Sequence, residues 1–245
     1  MTEFDPVYLA WQSPDTRDWH VVGALTQISN GYEFHYTKGA LSAEKFVPFS
    51  GMENLKKSYV SEELFPLFYN RLLSNRRPEY PKFIQWLGLS EKQATPMNIL
   101  ARSGGLRGTD QLQMFRKIEV KDSGSYEHFF FAHGLSHLTK SAQKRVDSLT
   151  VGERLFLCFD CQNTYDENAI IVRTDDPAEI IGYCPRYLAK DISTLFSISD
   201  SLTVSVEKIA KDAPSNYRLM CKVSGIVKTD KIASMSTQEE YLFTV

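Results

Sequence analysis

Nowhere does the chain hold a run of about 18 apolar residues, so no segment has the make-up of a membrane-spanning helix. The opening residues, MTEFDPVYLAWQ, carry acidic groups and no basic stretch ahead of an apolar one, which is not the pattern of a secretory signal. Cysteine is scarce: Cys158, Cys161, Cys184 and Cys221 all lie in the second half and form no dense framework. Reduced thiols in a cytoplasmic protein are therefore expected. Cys158 and Cys161 have C-x2-C spacing, but LFLCFDCQN reads as a strand, where residues three apart face opposite sides. No second Cys/His pair follows, whereas a closed zinc site needs four converging ligands. No cofactor is expected.

An excess of positive charge is also missing. The net charge is −2, and from Tyr126 onward 13 basic residues face 16 acidic ones. A general duplex-DNA binder draws its affinity from phosphate neutralisation, so any nucleic-acid contact here must be local and geometric. Catalytic signatures are absent too. There is no H-E-x-x-H and no G-x-S-x-G, and His20, His35, His128, His133 and His137 are scattered. Gly104-Gly105-Leu106-Arg107-Gly108 lacks the Lys-Ser/Thr of a phosphate loop, and Asp175-Asp176 sits in a turn before Pro177. A non-catalytic protein is expected.

What is present suits folding. A chain of 245 residues, 42% hydrophobic and 24% charged, can build one large domain or two modest ones. In the first part Val7 to Trp11, Trp19 to Ile28 and Tyr32 to Tyr36 are rich in β-branched and aromatic residues. Asn30-Gly31 joins the last two as a tight hairpin. Ser61 is placed to cap a helix with Glu62 and Glu63 in its first turn, and Leu64, Leu67, Phe68 and Leu72 recur at helical spacing. Further helices are expected near Tyr80 to Leu87, ended by Gly88, and from Thr95-Pro96 to Ala101. Residues 102–125 read as a connection with one strand-like stretch, Leu112 to Val120.

The second part is more plainly β. Phe129 to Leu135, Arg154 to Phe159, Ala169 to Arg173, Ile180 to Tyr183, Leu202 to Ile209 and Leu219 to Ile226 are six candidate strands. Helices near Thr139–Val146 and Leu188–Phe196 interrupt them. Six short strands with few helices suggest a barrel or a strongly bent sheet. The expected class is α+β, with a small N-terminal sheet plus helices over residues 1–122 and a β domain over residues 123–245.

The most informative segment is Asn163-Thr164-Tyr165-Asp166-Glu167-Asn168-Ala169-Ile170, followed by Ile181-Gly182-Tyr183-Cys184-Pro185-Arg186. Upstream a strand ends in Phe131-Ala132-His133-Gly134-Leu135-Ser136-His137. With Gly152-Glu153-Arg154-Leu155 these elements resemble the HIRAN domain, in the same order and at similar separations, over about 120 residues. The resemblance implies an OB-like six-stranded barrel that binds single-stranded DNA with a free 3′-hydroxyl. It implies that Tyr165 stacks on a base, Asp166 accepts from the end hydroxyl, Arg186 holds a phosphate and Tyr183 stacks or bonds the backbone. Stacking on such a ring is typically worth about 1–3 kcal/mol. An ionised carboxylate is an acceptor only, and it would repel a terminal phosphate. Asn163, Ser136 and His137 complete the implied site. The family's eukaryotic DNA-binding members carry an Arg and an aromatic where this chain has Ser136 and His137. Asn163, Asp166 and Asn168 equally suit Asx-turns that satisfy backbone groups.

Val22-Gly23-Ala24-Leu25, Tyr32-Glu33-Phe34-His35-Tyr36 and Leu64-Phe65-Pro66-Leu67-Phe68-Tyr69-Asn70-Arg71-Leu72-Leu73 look like the N-terminal subdomain of HipA-type kinases. Trp86-Leu87-Gly88-Leu89 and Met97-Asn98-Ile99-Leu100 through Gly104-Gly105 continue that likeness. The kinase core is absent. The resemblance implies docking to a protein partner, a HipA-like kinase; a helicase or nuclease is a separate candidate partner. A regulatory, antitoxin-like subunit is the alternative reading of the whole chain, with a defence protein as a further candidate partner.

Overall fold

Alternating β-branched and aromatic residues build the first sheet from β1 (Val7–Gln12), β2 (Trp19–Ile28), β3 (Gly31–Tyr36), β4 (Tyr59–Ser61) and β5 (Leu112–Phe115). Its order is β4-β3-β2-β1-β5 and every pair is antiparallel. Ser29 and Asn30 turn the chain between β2 and β3, one residue before the expected Asn30-Gly31, since Gly31 already pairs with Ile28; Leu25 lies opposite Phe34 and Gly23 opposite Tyr36. The computed structural model describes residues 5–236 and 238–244.

Phe34 is the centre of this core. Its fully buried ring lies 5.0 Å from that of Tyr36, 5.8 Å from Phe68 and 6.1 Å from Phe49. A Cβ on Gly23 would stand 2.5 Å from the tip of the Phe34 ring, so the glycine of the V-G-A-L run is the floor on which that ring rests. The Tyr36 hydroxyl donates to the Met52 carbonyl (2.8 Å) and accepts from the Phe49 N–H (2.8 Å). Burial pushes its pKa up to about 12.

Ser61 does not cap a helix. It ends β4 opposite Tyr32, because pairing on the sheet edge captures it first. Helix begins only at Pro66, which lacks an N–H and suits a first helical position, and runs through Tyr69. The apolar stripe still reaches the core: Phe68 is fully buried, and Leu64, Leu67 and Leu72 pack partly against it. Helix Tyr80–Trp86 is followed by Gly88 at positive φ, and in helix Pro96–Ser103 the Thr95 side chain accepts from the Asn98 N–H.

The second sheet contains β6 (Ser125–Phe131), β7 (Arg154–Phe159), β8 (Ile170–Arg173), β9 (Ile180–Tyr183), β10 (Ser199–Ile209) and β11 (Leu219–Val227). Its order is β6-β11-β10-β7-β8-β9, antiparallel throughout. Past the end of β6 the chain reaches His133, whose backbone exchanges hydrogen bonds of 2.8 and 2.9 Å with Tyr183 of β9. The two edges therefore meet at one bridge, and the sheet curls into a half-barrel. Leu155, Ile170, Val172, Ile181, Val204 and Val223 are buried in it, as are Leu188, Ile192 and Leu195 of helix Arg186–Ile198.

By their contacts, residues divide into Met1–Lys117 with Thr237–Val245 and Ile118–Ser236. The division stands a few residues before the expected 122/123 boundary, and the C-terminal segment groups with the first sheet. Backbone bonding explains this. Lys38 N–H donates to Leu242 (2.8 Å), Thr244 N–H donates to Tyr36 (3.1 Å), and Phe243 stacks on His35 at 4.6 Å. Among the described residues no helix is long and apolar enough to cross a membrane.

Candidate nucleic-acid interface

The loop between β7 and β8 is a chain of side-chain-to-backbone hydrogen bonds. Asn163 Oδ1 accepts from the N–H groups of Tyr165 (3.0 Å) and Asp166 (3.1 Å), while its amide donates to Asp160 Oδ2 (3.0 Å). Asp166 Oδ1 accepts from the Asn168 N–H (3.0 Å). Short polar side chains favour such local bonds over ladder pairing, and here they close the loop so tightly that Tyr165 is thrown outward. Its side chain is 73% exposed.

Asp166 is engaged within the protein on both oxygens. Its second oxygen, Oδ2, faces Arg186 Nε at 3.2 Å, and the side chain is only 15% exposed. Each oxygen thus has one partner within the protein, tying the loop to the helix start, and each keeps a further lone pair. Asn163 uses its oxygen twice and one amide hydrogen within the loop.

The second motif, I-G-Y-C-P-R, is the other wall. Gly182 has φ of +144°, and a Cβ there would stand 2.8 Å from the His133 carbonyl oxygen. Only a glycine lets the chain after β6 cross so close to β9. Tyr183 donates its hydroxyl to Asp160 Oδ2 (3.1 Å), and burial together with that carboxylate raises its pKa. Cys184 is buried, which holds its thiol protonated. Pro185 precedes the helix and Arg186 is its first residue. A cation at a helix N-terminus opposes the helix dipole, and Asp166 offsets it. Arg186 is 33% exposed, and its two terminal nitrogens have no partner among the described residues.

Tyr183 links the third element. Its backbone holds His133 and its hydroxyl holds Asp160, so the turn Leu135–His137 and the Tyr165 loop attach to one residue. Ser136 and His137 are exposed. Ser136 also lines a cleft of about 150 Å³ with Leu138, Gln143 and Arg218. The structure thus groups Tyr165, Asp166, Tyr183 and Arg186 directly, and Ser136 and His137 through the bridge. Asp160, which ties the two walls, was missed in the sequence; an acid three residues before Asn163 was its only signal. Among the described residues no cluster of three or more His, Cys, Asp or Glu is placed to hold a metal.

His133 itself is expected to make the fold acid-sensitive. Burial lowers its pKa to about 4 from an ordinary 6.5. The unfolded chain takes up a proton below about pH 6.5 and the folded one does not until about pH 4, so stability falls as pH drops through that window. The loss is ~2 kcal/mol, allowing for the ring's partial exposure. Urea unfolding at the two ends of the window measures it. His133→Leu should flatten that step, and an equally steep step in the variant would assign it to other groups.

Residues 125–228 match the HIRAN domain. The HIRAN match opens on the first residue of β6 and closes just past β11, so it spans the whole curled sheet and supports a nucleic-acid-binding role for it. The crystal structure of the HIRAN domain of human HLTF is similar at 17% identity and a TM-score of 0.36, covering 49% of this chain and 92% of that one. A crystal structure of a Lactobacillus plantarum protein is similar at 21% identity and a TM-score of 0.35, covering 43% of this chain and all of that one. No curated protein matches the chain.

Proposed function

We propose that the HIRAN domain, read as an OB-like half-barrel, grips the end of a single strand of nucleic acid in a non-catalytic way. The observation that carries this is the Tyr165 ring, exposed on a loop whose backbone Asn163 closes. Beside it Asp166 fixes Arg186, leaving two guanidinium nitrogens for a phosphate. An exposed aromatic ring on a hydrogen-bonded loop offers a stacking platform. Preference for a free 3′-hydroxyl is taken from the family resemblance; lone pairs left on the Asp166 carboxylate can accept from that hydroxyl, and its charge repels a terminal phosphate.

The test is fluorescence anisotropy with short single strands carrying a free 3′ end, a 3′-phosphate or a blocked 5′ end. Tyr165→Ala should weaken binding by about 1–3 kcal/mol with an unchanged melting temperature. A 3′-phosphate should weaken it more than a 5′ block. Unchanged affinity in the Tyr165 variant contradicts stacking. Equal effects at both ends remove the end preference and leave single-strand binding.

For the first unit we propose docking to a protein partner. Its HipA-like motifs support this, and so do large apolar side chains left exposed at Leu41, Val47, Val60 and Tyr69. The same exposed groups favour the second reading, a regulatory subunit of a HipA-like kinase. An adjacent kinase gene would support that reading, and an adjacent helicase or nuclease gene the first.

A further inference from the structure

On the outward side of the curled sheet Arg154 and Arg173 bracket the ring of Phe156, with guanidinium carbons 4.9 and 5.2 Å from its centroid. This is cation–π range. Phe156 stands opposite Arg173, Cys158 opposite Ile171, and Ile171 opposite Tyr183. Residues opposite one another, or two apart along a strand, share a face. Phe156, Arg173, Ile171 and Tyr183 therefore form one continuous patch, while the alternate residues Leu155, Val172 and Ile181 are buried on the other side. From strand spacing and rise, Phe156 lies roughly 12 Å from Tyr183.

Neither arginine has an ion-pair partner among the described residues, although acidic residues outnumber basic ones in this half of the chain. Two uncompensated cations on a β surface repel one another, and the ring between them offsets only part of that. An anionic occupant would complete the arrangement. Guanidinium planes and a phenyl ring also offer flat faces to nucleobases, which a purely anionic ligand would leave unused.

Building on the single-strand reading above, we propose that a strand whose end sits at Tyr165 continues across this face, with Arg154, Phe156 and Arg173 holding the nucleotides further from the end. The footprint then exceeds the end pocket and reaches about four nucleotides or more, the lower range for an OB-sized domain.

The experiment compares single strands of about two nucleotides, which fill only the end pocket, and about twelve by anisotropy across a salt series, using the full chain. The wild type should bind the longer strand more tightly. In Arg154→Gln/Arg173→Gln the slope of log affinity against log salt should fall by about 0.7 for each phosphate that is no longer held. Affinity for the longer strand should approach that for the shorter, which itself stays unchanged. Phe156→Leu, which keeps an apolar filler, should lower long-strand affinity about fivefold through weaker stacking. Wild-type slope and affinity in the double variant, with Tyr165→Ala still impaired, overturn this inference alone. Absence of binding by the wild type at either length overturns the single-strand reading and this inference together.

Discussion

Gly182→Val is expected to destabilise the protein by about 2–6 kcal/mol and to abolish single-strand binding. Two costs combine. A φ of +144° is one that side chains rarely adopt, worth about 1–3 kcal/mol. The new Cβ would also press on the His133 carbonyl at 2.8 Å, the Ala132 Cβ at 3.1 Å and the Leu135 side chain at 3.2 Å, and overpacking of this kind costs about 1–3 kcal/mol. The nearest obstacle is backbone, so relief requires breaking the His133–Tyr183 bridge. That bridge holds the Gly134 turn, and Tyr183 in turn holds Asp160 and the Tyr165 loop. Urea unfolding and anisotropy on one preparation decide the matter: a wild-type midpoint would show that the edges do not depend on this crossing.

Phe34→Ala should cost about 3–5 kcal/mol, the range for removing a large aromatic from a packed core. The ring is fully buried against Tyr36, Phe49, Phe65 and Phe68. The flat space over Gly23 into which it fits cannot be refilled by small shifts of a sheet backbone. Denaturant unfolding followed by far-UV circular dichroism measures this. A loss below about 1 kcal/mol would mean the neighbouring rings collapse into the gap and Phe34 is not the keystone of that core. The same geometry gives the V-G-A-L and F-H-Y runs a meaning: Gly23 and Phe34 are matched for packing across a strand pair, so these motifs report a core.

Much of the architecture was legible from local pattern. The hairpin near Asn30, the cap at Thr95, and strands such as Arg154 to Phe159 follow from alternation and turn chemistry, which act over a few residues. Ser61 was misread because the same residue can cap a helix or end a strand, and a distant partner, Tyr32, decides which. The return of Leu242, Phe243 and Thr244 to the first sheet was invisible for the same reason. In the candidate site, an available Tyr165 was what the HIRAN resemblance implied and the Asx-turns were the alternative reading of the same loop; the ring is exposed and the turns are formed. The engagement of both Asp166 oxygens was not legible, because Arg186 lies twenty residues further along.

By itself the sequence determined the alternation that makes the strands, the turns that join several of them, and the Asx-turns of the polar loop. Only the tertiary structure decided which carboxylates are spent on the protein, which glycine admits a crossing chain, and which face carries Phe156 between two arginines. Local preferences are written in neighbouring residues. Charge pairing and close backbone approach depend on distances between residues far apart in the chain, and those distances exist only once the sheet has curled.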